Sequence, residues 1–572
     1  MKKIARLVAV LLCICMLFTS CAPVGTNGEK TADSEYSQEV QNLEKLCKVW
    51  GYTKYNHPAF LLGQKDWDEE LLNLIPVVSE AKENEVNGIL HEWFVSLGEI
   101  DYKTISKVPE WVGVTEENKI VCTDTAWISE DYLGKELSAD LQQFEPLPNV
   151  NRGKAPVSFS SIGVPDFSNE KTYENIDYSN QNYRLLGLFR VWNILKYYFP
   201  YFEIMDEDWD DLLSEYIPKM MEGSDLESFE LTIMELTAHL HDAHVMLMNG
   251  GETDYLLKKY AVPVDLIRAD GKFVIKQVYG TDCSLQAGDI VLKQDDLSIE
   301  DVATYFIKYI SVPNKEKLAN QVFPYLLRSD NQMISLTVLR DGKEEIVHVK
   351  GVPNMLYSMP QQPLISHEIL EGNIGLINPS ALKDGEINTI MQELRTTDGM
   401  IVDLRQYPSD TTLQLTLAPY FKKNYSPFVT IACPSQAVPG IMWKRQVYSG
   451  MMMPGQESYY YDKPVVILIS ETTQSNAEYT TMSLRTGENV TVLGNNSIGA
   501  DGNITYLPLL NGHKITFTSL GIYTPDGGQT QSIGLTPDIE VYPTVEGIKE
   551  GRDELKEAAV AYIQEQSGTK AK

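Results

Sequence analysis

Cysteine is scarce and scattered in this chain. Of seven cysteines, Cys13, Cys15 and Cys21 sit near the start, while Cys47, Cys122, Cys283 and Cys433 are isolated with no Cys-x-x-Cys pair. That spacing excludes a disulfide framework and a thiolate zinc site. Basic charge is also short: 48 Lys and Arg against 79 Asp and Glu leave a net charge of −31. A surface of that sign repels nucleic acid and anionic lipid, so neither is expected as a direct partner. Long hydrophobic runs are missing after the N-terminal segment, where nothing approaches the roughly 18 apolar residues a membrane helix needs.

The start of the chain does carry an apolar run. Met1, Lys2, Lys3 and Arg6 precede an apolar stretch at 7–18 that is too short to cross a bilayer comfortably, the pattern of a signal peptide. Leu17-Phe18-Thr19-Ser20-Cys21 resembles the bacterial lipobox, whose cysteine is lipidated and becomes the new N-terminus; Phe18 stands where an aliphatic residue is usual. The reading is a lipoprotein signal at 1–21 with Cys21 as the lipidated residue, then a flexible tether at 22–40 rich in Gly, Thr, Ser and Glu. The mature protein is expected to be exported and held at a membrane by lipid. About 550 residues remain, enough for three or four domains.

An internal repeat organises the first half. Val49-Trp50, Lys54-Tyr55, Pro58, Phe60, Asp66-Trp67-Asp68 and Ile75-Pro76 recur 142 positions later as Val191-Trp192, Lys196-Tyr197, Pro200, Phe202, Asp208-Trp209-Asp210 and Ile217-Pro218. One constant offset across so many rare residues marks a duplication. Each copy reads as a helical hairpin with a Pro break, an Asp N-cap before the second helix and a Pro at the next boundary. The copies, at 41–102 and 184–250, differ at their ends: Leu97-Gly98-Glu99-Ile100-Asp101 stands against Leu240-His241-Asp242-Ala243-His244. Only the second offers a histidine in that position, so it is expected to face the chemistry while the first acts as scaffold. The linker at 103–183 promises few regular elements.

From 258 to 352 the pattern turns to β, with Asp-Gly turns at Asp270-Gly271 and Asp341-Gly342 that signal tight hairpins. The region 366–545 alternates strand and helix, and 546–572 reads as a C-terminal helix and tail. The run Val465-Val466-Ile467-Leu468-Ile469-Ser470, then a polar turn, then a helix-forming segment delivers Ser475 to the carboxyl edge of a sheet and to a helix N-terminus. There, free backbone N–H groups stabilise an oxyanion beside a serine nucleophile. The plainer reading of Ser475-Asn476-Ala477-Glu478 is a Ser-x-x-Glu capping box.

Four motifs in chain order resemble those of the S41 peptidases, which include the tail-specific processing proteases and the tricorn core protease. They are Asp403-Leu404-Arg405, the segment 473–485, the run 492–499 and the tail from Tyr523-Thr524-Pro525-Asp526-Gly527 to Ile539. The resemblance implies a crotonase-like α/β core preceded by a PDZ-like β module and helical cap units. It also implies a serine-type endopeptidase acting on exported proteins or peptides, with no cofactor and no metal, whose substrate is bound through its C-terminal region. Ser475 is then the nucleophile. The processing proteases' catalytic lysine and glutamine fall at Ala500 and Ile504 here, so the lysine dyad is absent. Tricorn-like members use a histidine in an Asp-x-His-like motif, which points to His244 as general base. Their preceding serine is Ala243 here, and their glutamate falls at Gln531 or Ser532. Gln531, Glu478 or Asp501 are the candidates for supporting His244. The oxyanion donors implied are the N–H groups near Ser409 and Asn476, although the usual Gly-Gly is replaced by Ser409-Asp410.

Two other readings stay open. One is a catalytically impaired S41-like protein that binds peptides or apolar ligands. The other is a metal-dependent hydrolase built on His239, His241 and His244, in which, on a continuous helix, His241 and His244 could meet while His239 and His241 face apart. The tract Tyr459-Tyr460-Tyr461 either lines a groove or packs inside.

Overall fold

The computed structural model describes residues 36–102, 115–147, 152–250, 256–279, 283–313, 321–353, 365–451 and 459–568. Cys21 and the segment 1–35 lie outside the described residues. Among the described residues no helix is long and apolar enough to cross a membrane.

The duplicated hairpins repeat the same bond. Trp50 on the helix Gln38–Asn56 donates its indole N–H to Trp67 O at 2.8 Å, and Trp192 on the helix Gln181–Tyr198 donates to Trp209 O at 2.9 Å. Asp66 and Asp208 cap the second helices, Trp67–Ser79 and Trp209–Glu222, by accepting first-turn N–H groups. Pro76 and Pro218 do not mark boundaries: each lies inside its helix, a few residues from the C-terminal end. A proline there removes one hydrogen bond near a fraying terminus, which packing of Trp67, Leu71 and Ile75, or of Trp209, Leu213 and Ile217, outweighs.

Between the first hairpin's helices, His57 is 2% exposed and caps the turn Pro58–Leu61 by accepting the Ala59 N–H on Nδ1. Phe60, Phe94 and Phe144 surround its ring. Burial pushes its pKa down to about 4. It is therefore neutral in the folded chain and protonates near 6.5 in the unfolded one, so its contribution to stability is present above pH 6.5 and is lost as pH falls toward 4. We expect up to about 3 kcal/mol of acid destabilisation over that window, from the 1.36 kcal/mol per pKa unit. Melting temperature followed from pH 7 to pH 4 checks it: His57→Asn keeps the cap acceptor and should flatten the decline, and an unchanged slope would assign the acid sensitivity elsewhere.

Among the described residues the β region forms a larger antiparallel sheet in the order Lys343–Lys350, Met333–Arg340, Ile290–Gln294, Lys272–Val278, Val264–Ala269, with Leu297–Ser298 paired to Ile290–Gln294, and a small one in the order Arg328–Ser329, Tyr260–Ala261, Val352–Pro353. Both Asp-Gly turns are two-residue hairpin turns, with Asp270 and Gly271 at φ +48° and +70°, and Asp341 and Gly342 at +47° and +75°. Those are the positive dihedrals that make Gly the preferred second residue.

The C-terminal region contains a six-stranded sheet in the order His367–Leu370, Ile374–Ile377, Gly399–Asp403, Val465–Ile469, Val490–Gly494, Ile539–Glu540, parallel except for the first pair. The strand Val465–Ile469 is buried on both faces, as its unbroken apolar run requires. Val465, Ile467 and Ile469 pack in a core that includes Ile387, Ile390, Ala477 and Leu484 from two helices. Val466 and Leu468 face Leu555, Ala559 and Ile563 of the C-terminal helix Glu554–Gln566. Tyr461 is 2% exposed and its hydroxyl meets Thr397, so this end of the tyrosine tract is interior packing. The linker adds a strand, Lys119–Val121, to the edge of a further sheet made by Ser426–Pro434, Ile441–Ser449 and Gly521–Tyr523.

Candidate active site

Ser475 ends the turn between the strand Val465–Ile469 and the helix Asn476–Leu484, at φ +54° and ψ −121°. A non-glycine residue there is strained, and such strain persists only where the surroundings over-determine it. Here they do. The Ser475 N–H donates to Ala500 O at 2.9 Å and to Glu478 Oε2 at 3.2 Å. Glu478 Oε1 accepts from Ser497 Oγ and from the Gly499 N–H, and Oε2 also accepts from the Ala500 N–H. Thus the Glu478 half of the capping box is a full hydrogen bond. The other half is a looser approach of the Ser475 side chain to the Glu478 backbone, short of a regular cap hydrogen bond, and the residue lacks the extended backbone of an N-cap. The residue is half-buried at the sheet's carboxyl edge. Thr472 and Thr473 donate their hydroxyls to Arg405 O and Leu404 O, which draws the Asp403-Leu404-Arg405 loop against this turn.

His244 comes from far upstream. The helix Leu226–Ala238 stops before the histidines, and His241 adopts φ +51°, so the three do not share a helix. Each ring is engaged separately. His239 meets the Tyr216 hydroxyl at 3.0 Å and Glu207 at 3.3 Å; His241 Nδ1 meets Val312 O at 3.1 Å. His244 Nδ1 lies 2.8 Å from Thr518 Oγ1 and 3.6 Å from Asp242 Oδ1. Among the described residues no group of three His, Cys, Asp or Glu is placed to hold a metal ion. The loop beside His244 abuts the serine turn: Gln474 Nε2 donates to Ala243 O at 3.3 Å, and Ala243 packs with Ile498 and Ala500. Ala500, where processing proteases carry lysine, is fully buried and supplies only its backbone.

The residue that sequence reasoning left without a role is Asp242. It is fully buried. Its Oδ1 accepts the His244 N–H at 3.0 Å, and its Oδ2 accepts the Thr518 N–H at 2.8 Å. Its own N–H donates to Ser311 Oγ at 2.8 Å. Burial alone would raise this carboxyl, but the imidazole of His244 and the two backbone N–H groups outweigh it and hold the pKa below the usual carboxylate range. An ionised acid 3.6 Å from Nδ1 favours the tautomer with its proton on Nδ1, which leaves Nε2 as the basic nitrogen. Gln531 Nε2 reaches Asp242 Oδ1 at 3.3 Å, so it supports the acid and not the imidazole. Neither Glu478 nor Asp501 bonds His244: Glu478 serves the serine turn, and Asp501 accepts the Gly502 N–H. Burial and the neighbouring Glu478 push the Asp501 carboxyl well up. The local signal for Asp242 was its place two residues before His244, the spacing at which an Asp side chain accepts a backbone N–H.

Of the two oxyanion donors expected, Asn476 is the first residue of its helix, where no intrahelical acceptor exists for its N–H. The Ser409 N–H is already donated to Pro379 O at 3.0 Å, so it is occupied in this conformation. The reason is local: Ser409 Oγ also bonds the Pro379 and Leu382 carbonyls and ties the loop down.

The family model of Peptidase family S41 matches residues 373–541. A carboxy-terminal-processing protease of Bartonella bacilliformis is 34% identical over 80 residues, which span 14% of this chain and 18% of that protein. Mature CPAF has the same fold at 14% identity, with a TM-score of 0.55 over 68% of this chain and 99% of that one; its complex with lactacystin gives 0.53 at 13% identity. Residues 373–541 therefore match a Peptidase family S41 domain.

Proposed function

We propose that the protein is a serine endopeptidase in which Ser475 attacks the scissile carbonyl, His244 Nε2 takes its proton, and Asp242 orients and stabilises the imidazolium. The observation that carries this reading is the Asp242–His244–Thr518 cluster, joined through Ala243 to the strained Ser475 turn. His244 then returns the proton to the leaving amine, and water repeats the sequence on the acyl-enzyme. The Asn476 N–H at the helix N-terminus is the proposed oxyanion donor; Ser409 joins it only by giving up its bond to Pro379. The α/β core is read as crotonase-like and the β region 258–352 as a PDZ-like module that holds the C-terminal region of a substrate. Export and a lipid anchor at Cys21 complete the proposal and place the substrates among exported proteins.

A fluorophosphonate probe tests it. Labelling of the parent chain is expected, with complete loss in Ser475→Ala and strong loss in His244→Ala. Labelling that survives Ser475→Ala sinks the reading. An unlabelled, well-folded parent chain favours a binding protein that retains the fold.

A further inference from the structure

The strands Ile504–Pro508, Lys514–Thr518 and Met246–Met248 form a small antiparallel sheet, in that order. Its inward positions, Leu247, Thr505, Leu507, Ile515 and Phe517, are buried. On the outward face one expects charged or polar residues, because a solvated sheet face alternates against the core. The central strand meets that expectation with Lys514, Thr516 and Thr518, but the two outer strands present Met246 at 55% exposed, Tyr506 at 47%, Met248 at 37% and Ile504 at 37%. Register places them on either side of that strand: Tyr506 and Met246 flank Thr516, Ile504 pairs Thr518, and Met248 pairs Lys514, whose ammonium lies 5.5 Å from the Tyr506 ring centroid. Four large apolar side chains clustered on one exposed face differ from the scattered surface apolar residues that need no explanation.

This face is continuous with the candidate base. Thr518, on the same face, holds His244 Nδ1 at 2.8 Å. Thr516 donates its hydroxyl to His244 O at 2.5 Å, and Met246 follows His244 by two residues. A general base that also protonates the leaving amine must lie within hydrogen-bond reach of that nitrogen. The substrate residues after the scissile bond therefore begin at His244, and each advances about 3.3 Å in an extended chain. We propose that the face formed by Met246, Met248, Ile504 and Tyr506 is a subsite for apolar side chains on the leaving-group side of the scissile bond. Unbranched Met side chains suit it to accept more than one apolar residue. The inference rests on the peptidase reading above.

Digestion of a mixed-sequence peptide library, read by mass spectrometry, tests it together with fluorophosphonate labelling. We expect Leu, Met or Phe to be enriched over Asp and Lys at the positions just after the cut, by roughly 10-fold or more. Met248→Ser/Tyr506→Ser should erase that preference while leaving the labelling rate of Ser475 and the melting temperature unchanged. Normal labelling with no apolar enrichment, with enrichment that survives the double variant, or with an uncut library overturns the subsite. Loss of labelling in the parent chain itself overturns the peptidase reading, and the subsite with it.

Discussion

Asp242→Asn is expected to lower kcat by about 10³–10⁴-fold with little change in KM, the scale seen when the acid behind a catalytic histidine is made neutral with geometry kept. The carboxylate does two things an amide does not. It places a full negative charge 3.6 Å from His244 Nδ1, which favours the Nδ1–H tautomer and the imidazolium formed during attack. It also accepts from three donors at once, the N–H groups of His244 and Thr518 and the side chain of Gln531. An asparagine offers one acceptor oxygen and turns its NH₂ toward one of those donors, so the loop loses a bond as well as a charge. Because Asp242 acts through His244, the split between kcat and KM separates positioning from plain misfolding. The expected pattern is a loss of kcat at unchanged KM and unchanged melting temperature, since melting temperature reports the fold. Activity within about 10-fold of the parent would remove Asp242 from the mechanism.

How much of this was legible beforehand follows from how local each cause is. The strand–turn–helix around Ser475 could be read because an unbroken apolar run, a polar turn and a helix start are neighbours in sequence. The duplicated hairpins were legible because Trp50–Trp67 and Trp192–Trp209 repeat one spacing and one bond. The boundary role given to Pro76 and Pro218 failed because tertiary packing carried each helix past its proline. The shared helix considered for the histidines failed because the backbone turns left-handed at His241. Thr518, which holds His244 from 274 residues away, left no local trace at all. Nor did Ser311, which anchors Asp242 from the β region. The occupied Ser409 N–H likewise depends on Pro379, a partner 30 positions upstream.

The largest stability effect is expected at Glu170, where Glu170→Gln should cost about 3–5 kcal/mol, the range for stripping one charge from a buried ionic network. Lys54, Asp68, Glu170 and Arg190 all have fully buried side chains. Glu170 lies 2.5 Å from Lys54 Nζ and 3.1 Å from Arg190 Nε, and it also accepts the Trp67 indole N–H at 3.1 Å. Arg190 in turn pairs with Asp68 at 2.7 Å. Two cations and two carboxylates balance; with glutamine in place, two buried cations share one carboxylate. The network joins both hairpin copies to the linker, since Lys54 and Asp68 belong to the first copy, Arg190 to the second and Glu170 to the linker. Arg190 also donates to Pro508 O at 3.3 Å, on the strand that heads the small sheet bearing Thr518. Denaturant unfolding measures the cost. Lys54→Met combined with Glu170→Met, which leaves the Arg190–Asp68 pair whole, should recover most of it, because an apolar replacement of a buried pair is often close to neutral. A Glu170→Gln chain within about 1 kcal/mol of the parent would show that water or local relaxation already screens these charges.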